Sequence, residues 1–319
     1  VVPILNEQAK KRKEALGLDV LKPWDKAVDP EGRKPLKPFE TGQELLEKTI
    51  RVFDKMDPFL GNCLKEMVKL NRFDLDSRKG KNPGGYNYPL EESGFPFIFM
   101  NAAGQVRDMV TLLHEGGHAV HSILDKDLPI NSFRNVPSEV AELASMSMEM
   151  ITMDHWNEYF SDPEEEKRAK IKHLEDILET LPWVATIDAF QHWIYENPTH
   201  STEEREAAWL KIYGKFSDSV TDWSGLEVNK SNVWQKQLHL FEVPFYYIEY
   251  AIAQLGALAV WRNYCQNPQK ALTQYLDALA LGYTVPMKEI YATAGIEFNF
   301  SKKYISELME FLKGKINEL

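Results

Sequence analysis

Five consecutive residues, His114-Glu115-Gly116-Gly117-His118, constrain this chain more than any other stretch of it. On a helix, two histidines four residues apart lie about 40° from one another on one face. They can grip one Zn²⁺ and leave the glutamate beside them to reach a metal-bound water, the chemistry of a zinc peptidase. The neighbours supply the helix: Met109, Val110, Leu112 and Leu113 lead in, and Ala119, Val120, Ile123 and Leu124 carry the apolar face onward. Adjacent glycines inside a helix cost about 1 kcal/mol each relative to alanine. Gly116 and Gly117 therefore predict that another part of the chain passes close by.

A catalytic zinc needs three protein ligands and an open position. Residues 136–149, Val-Pro-Ser-Glu-Val-Ala-Glu-Leu-Ala-Ser-Met-Ser-Met-Glu, read as a second helix with Pro137 in its first turn. Glu142 and Glu149, seven apart, share a face, whereas Glu139 lies about 60° from Glu142. On geometry alone Glu139 and Glu142 are both candidate third ligands. His121 shares the face of His118, but only His114 and His118 bracket a glutamate placed as a general base must be.

The pattern His-Glu-x-Gly-His-x-x-His, followed by a Glu-Leu-Ala-Ser segment that ends in another glutamate, resembles the oligoendopeptidase F branch of the thimet oligopeptidase family. In that family the third ligand opens a Glu-x-x-Ser segment, and a second glutamate follows seven residues later. Here that spacing is met only from Glu142 to Glu149. The resemblance thus implies one Zn²⁺ per chain held by His114, His118 and Glu142, with Glu115 as the base. Glu149 is expected to accept the free ring N–H of a ligating histidine, and His121 to lie behind the ligands or in the core.

Two further segments suit peptide recognition. Gly80-Lys81-Asn82-Pro83-Gly84-Gly85-Tyr86 reads as a turn, and Phe95-Pro96-Phe97-Ile98-Phe99-Met100-Asn101 as a strand leading to the motif helix. An edge strand there can pair with substrate backbone, which makes Gly84, Gly85, Tyr86 and Phe99 the candidate binding residues. The second segment, residues 239–251, is rich in tyrosines able to donate to an oxyanion. It resembles the family's stretch in which a histidine is followed about a dozen residues later by a carbonyl-contacting tyrosine. That match implies roles for His239 and Tyr250, with Tyr246 and Tyr247 as neighbours and Tyr247 the preferred helper.

Composition narrows the class without naming the activity. A net charge of −11 argues against nucleic-acid and anionic-membrane partners. The longest apolar stretch, 250–261, is too short to span a bilayer and contains Gln254. Cys63 and Cys265 are isolated, lack metal-binding spacing and are expected to be buried and inert in a reducing, cytoplasmic setting.

Helical periodicity dominates the rest. Helices are expected over 4–16, 41–70, 164–181, 183–196, 202–217, 244–265, 268–281, 287–294 and 301–319, besides the two metal helices. The pattern predicts a mainly α fold with one small β-sheet beside the motif helix, and the resemblance implies a zincin-like helical catalytic domain over 1–319. Two lobes, about 1–160 and 161–319, are a plausible division. Family members carry a further N-terminal helical region that walls the substrate channel, so the chain is expected to be a catalytic half, with that region as a candidate partner.

These features point to a zinc endopeptidase acting on short, unfolded oligopeptides. Two alternatives use the same residues: a zinc carboxypeptidase or dipeptidyl carboxypeptidase, and an inactive half that only binds peptides.

Overall fold

The computed structural model describes residues 1–319. The chain forms two compact units, Val1–Pro35 with His173–Ala251, and Leu36–Lys172 with Ile252–Leu319. Each is discontinuous in sequence, so a single cut near residue 160 does not separate them. The chain passes between them three times, after Pro35 in a non-helical stretch and after Lys172 and Ala251 within helices.

The larger unit begins with α2 (Gly42–Met56), following α1 (Val2–Ala15) of the other unit. The Thr41 hydroxyl caps α2 by accepting from the Glu44 amide at 3.2 Å. The expected single helix over 41–70 is two helices, because Pro58 opens α3 (Pro58–Lys69) and the Asp57 carboxylate caps it from Phe59 N at 2.7 Å. Strands β1 (Phe73–Asp76), β2 (Tyr86–Tyr88) and β3 (Phe97–Ala102) form one sheet in the order β1-β3-β2. β1 runs parallel to β3, and β2 antiparallel to it, with Tyr86 opposite Phe99.

From β3 the chain turns through Gly104 (φ +90°) into α4 (Val106–Asp125), the motif helix. Asp108 holds that turn, its Oδ2 accepting from the amides of Ala103 at 2.7 Å and Gln105 at 3.0 Å. α5 (Ser138–Ile151) follows, with Pro137 as its N-cap. The unit is completed by the start of α6 (Pro163–Glu196), most of α10 (Ile248–Gln266), and α11 (Pro268–Ala280), α12 (Met287–Thr293) and α13 (Lys302–Glu318).

α6 is one helix where two were expected at 164–181 and 183–196. Pro182 lies inside it and forfeits one backbone bond. Leu178, Leu181, Val184 and Ile187 are buried on both sides of the proline, so packing holds the helix through it.

The smaller unit contains α1, the rest of α6, α7 (Thr202–Phe216), and the short α8 (Glu227–Asn232) and α9 (His239–Glu242), neither of which periodicity revealed. Its core is aromatic: Ile187, Phe190, Trp209 and Trp234 are buried, with Trp183, Trp193, Tyr213 and Tyr247 against them. The expected helix start at Pro244 falls instead at Ile248. Val243, before the proline, lies outside the helical region (φ −136°, ψ 85°), in keeping with the bias against helical conformation of a residue preceding proline. Phe245 then takes φ +59°, and its amide donates to Oε1 of the buried Gln191 at 2.9 Å.

Candidate active site

The paired glycines of α4 are explained by what touches them. A Cβ at Gly117 would lie 2.7 Å from the Ala144 carbonyl oxygen and 2.7 Å from Ser145 Cα, so α4 and α5 meet backbone to backbone. A Cβ at Gly116 would lie 2.8 Å from Cζ of Phe53 on α2. Two buried tyrosines hold backbone carbonyls of α5. The Tyr275 hydroxyl donates to Ala144 O at 2.7 Å, and the Tyr291 hydroxyl to Glu139 O at 3.1 Å.

This contact assembles a side-chain cluster from both helices. Nε2 of His114 lies 3.3 Å and Nε2 of His118 3.8 Å from Oε2 of Glu142. One ligand atom from each of the three residues falls within 4.8 Å of the others, close enough to hold a metal ion. Nδ1 of His114 is taken by Oε1 of Glu149 at 2.6 Å, which leaves Nε2 to face the cluster. The Ser145 hydroxyl donates to Oε2 of Glu142 at 3.1 Å and to its backbone carbonyl, also at 3.1 Å. Glu139 joins the structure through its carbonyl rather than through the cluster.

The electrostatics favour a cation at this point. Burial opposes charge on His114, yet Glu142 and Glu149 outweigh it and raise its pKa well above the ordinary value. Burial, then the neighbouring His114, lowers His118 to about 3. Burial alone would raise Glu142, but the two histidines and Ser145 bring it down to about 2. A site that pulls positive charge between two carboxylates offers the same attraction to a divalent ion. Two imidazoles and a carboxylate form a donor set that zinc accepts, and a bound imidazole whose second nitrogen meets a carboxylate is the arrangement such sites use.

Glu115 is buried, and its Oε2 has no hydrogen-bond partner. Burial pushes its carboxyl up to about 7, against the pull of His114. His121 is buried in the core; burial lowers it to about 4, and its Nε2 lies 4.0 Å from Asp125 without a hydrogen bond.

The sheet sorts the expected binding residues. Phe99 lies on the central strand with Asp74 and Tyr86 as its strand partners, so its backbone is not the free edge. The two edge strands are β1 and β2, and Tyr86 lies on β2. The Tyr86 ring stacks on Phe99 with centroids 5.0 Å apart, and Lys81 Nζ stands 4.4 Å from the Phe99 centroid. Gly84 has φ +98° and open space around it, whereas a Cβ at Gly85 would press on Thr111 of α4 at 3.2 Å. Asn87, which sequence reasoning passed over, turns away from the two tyrosines and donates to the Glu115 carbonyl at 3.4 Å. The alternation of a strand puts it on that face.

In the smaller unit, His239, Tyr246, Tyr247 and Tyr250 form one aromatic cluster. The His239 ring centroid is 6.0 Å from that of Tyr246, 4.9 Å from Tyr247 and 5.7 Å from Tyr250. Burial raises the Tyr247 phenol, opposed by a hydrogen bond with Trp183. Of the two cysteines, Cys63 is buried as expected, whereas Cys265 is exposed. Cys265 falls in the last turn of α10, on the side the core does not cover.

A helix pair carrying a His-His-Glu cluster with a buried glutamate beside it defines a metallopeptidase class of site. The family model described as Peptidase family M3 matches residues 1–310, and the chain belongs to that family. Among its relatives, an oligoendopeptidase F homolog of Borreliella burgdorferi is 26% identical over 100% of this chain and 54% of its own length. An oligoendopeptidase F homolog of Lactococcus lactis subsp. lactis is 22% identical over 100% of this chain and 52% of its own. The solved structure of PZ peptidase A with an inhibitor superposes with a TM-score of 0.91 at 30% identity, covering 100% of this chain and 56% of that one. The chain thus spans about half the length of the relatives it matches. No helix is long and apolar enough to cross a membrane.

Proposed function

We propose that this chain is the catalytic portion of a zinc endopeptidase that hydrolyses internal bonds of short, unfolded oligopeptides. The observation that carries this reading is the approach of His114 Nε2 and His118 Nε2 to Glu142 Oε2, at 3.3 and 3.8 Å. His114, His118 and Glu142 would hold one Zn²⁺, with Glu149 fixing the His114 ring through Nδ1. When bound, zinc supplies a Lewis acid that polarises a carbonyl and acidifies water. Glu115 takes the proton of the attacking water and passes it to the leaving amine. Tyr250, helped by His239 and Tyr247, donates to the oxyanion, a role carried over from the family resemblance. The free edge of β2, with Gly84, Gly85 and Tyr86, pairs with substrate backbone. The length of the relatives supports a further region as the other wall of the channel. Unpaired cysteines suit a cytoplasmic setting.

The test is cleavage of an internally quenched, end-blocked peptide with and without Zn²⁺, beside Glu115→Gln. Zinc-dependent cleavage that falls about 10²- to 10⁴-fold in the variant, with zinc content retained, is the expected result. Cleavage of unblocked peptides alone, two residues at a time, would favour the dipeptidyl carboxypeptidase. One tightly bound zinc without any cleavage would leave a peptide-binding half.

A further inference from the structure

The aromatic cluster of the smaller unit contains a hydrogen-bond relay whose direction is set by chemistry. Trp183 Nε1 lies 2.9 Å from Gln237 Oε1, and Gln237 Nε2 lies 2.7 Å from His239 Nδ1. An indole nitrogen can only donate, so the Gln237 oxygen must face it. The amide nitrogen is thereby turned to His239, and it too can only donate. Nδ1 of His239 must then accept, which leaves the ring proton on Nε2. An imidazolium is excluded by the same contact, since its Nδ1–H would oppose the amide N–H.

The relay is anchored at its source. The Trp183 ring packs edge-on against the buried Trp209 at 5.9 Å, and Lys236 Nζ stands 4.4 Å from the Trp183 centroid. These contacts favour the ring orientation in which the indole N–H meets the glutamine. Burial also lowers the His239 pKa, in agreement with a neutral ring.

We propose that Gln237, oriented by Trp183, is a positioning residue that fixes His239 as the neutral Nε2–H tautomer and so makes it a hydrogen-bond donor to the substrate carbonyl. The tautomer follows from the relay alone, whereas the use made of it rests on the peptidase reading of His239. A histidine with its proton on Nε2 and its Nδ1 occupied cannot serve as a base through Nε2; its one contribution there is donation.

The experiment reads the two layers separately. In the ¹⁵N-labelled chain, long-range ¹H–¹⁵N spectra identify the protonated nitrogen of each imidazole, and His239→Gln assigns the His239 signals by difference. The expected wild-type result is a protonated Nε2 and an acceptor Nδ1. In Gln237→Glu the carboxylate accepts from indole and imidazole alike, so the proton is expected to move onto Nδ1. With it, kcat should fall about 10- to 100-fold while KM stays within about twofold. Gln237→Met, which keeps the volume and removes the relay, should give a mixture of tautomers. A wild-type Nδ1–H signal, or spectra unchanged in both Gln237 variants, would overturn the proposal. A tautomer that shifts as expected in Gln237→Glu without loss of turnover would refute the donor role of His239. Absence of turnover in the wild-type chain would count against the peptidase reading and leave the tautomer result standing.

Discussion

The Cβ position of Gly117 lies 2.7 Å from the carbonyl oxygen of Ala144, one residue from His118 on α4 and two from Glu142 on α5. This contact sets how far apart the candidate ligands of the two helices stand. Gly117→Ala must push the helices apart, because backbone on α5 cannot yield as a side chain can. The expected cost is about 1–3 kcal/mol of stability together with weaker zinc binding. Gly116→Ala meets only the Phe53 ring, which can rotate, and should cost less. Thermal melts and zinc titrations of the two variants check the order; equal effects would contradict it.

Glu149 holds Nδ1 of His114 at 2.6 Å. Glu149→Leu should free the ring and weaken zinc affinity by about 10- to 100-fold. Glu149→Gln keeps an acceptor oxygen and should lose less. Competition against a chelator of known affinity measures both.

Asp125 supplies a pH test of stability away from the metal cluster. Burial pushes its carboxyl up to about 7, opposed by Arg134, from an ordinary value of 3.8. Below pH ~4 the group is protonated whether folded or not, and it contributes nothing to the pH dependence. Between pH ~4 and ~7 the unfolded chain releases the proton while the folded one keeps it, so stability falls as pH rises. Asp125→Asn should therefore stabilise the protein at pH 8 and leave it unchanged at pH 4. The gain should be on the order of 1–2 kcal/mol, since water reaching the carboxylate screens part of the burial penalty. Urea melts at the two pH values would show it; a gain of equal size at both would reject this explanation.

The two thiols should differ in reactivity. Cys63 is buried and pushed up to about 12 by that burial, whereas Cys265 is exposed. A thiol reagent applied to the native chain should label Cys265 and reach Cys63 only on unfolding, as mass mapping of the labelled peptides would show. Rapid native labelling of Cys63 would mean that the α2–α3 region opens.

Much of the site was legible in the residues because its chemistry is local. His114, Glu115 and His118 lie on one helix, where periodicity alone decides which side chains share a face. On α5 the seven-residue spacing puts Glu142 and Glu149 on one face, while the choice of Glu142 over Glu139 came from the family resemblance, and the pair Gly116-Gly117 marks the close approach of another segment. Helix positions followed from apolar periodicity, while errors gathered at prolines. Pro58 ends one helix and opens the next, Pro182 is carried through a packed helix, and Pro244 delays a start to Ile248.

Tertiary structure decided what depends on contacts distant in sequence. Nothing local distinguishes Phe99, locked at the centre of the sheet, from Tyr86 on its edge. Nor could spacing reveal that Asn87 meets the Glu115 carbonyl, that Tyr275 holds Ala144, or that Trp183 meets Gln237, 54 residues away. Which groups are available, and which helix faces they occupy, can be read from residue order because the 3.6-residue turn fixes them. Their partners, tautomers and burial were decided only by packing, since each depends on donors, acceptors and apolar surfaces that the chain brings together on folding.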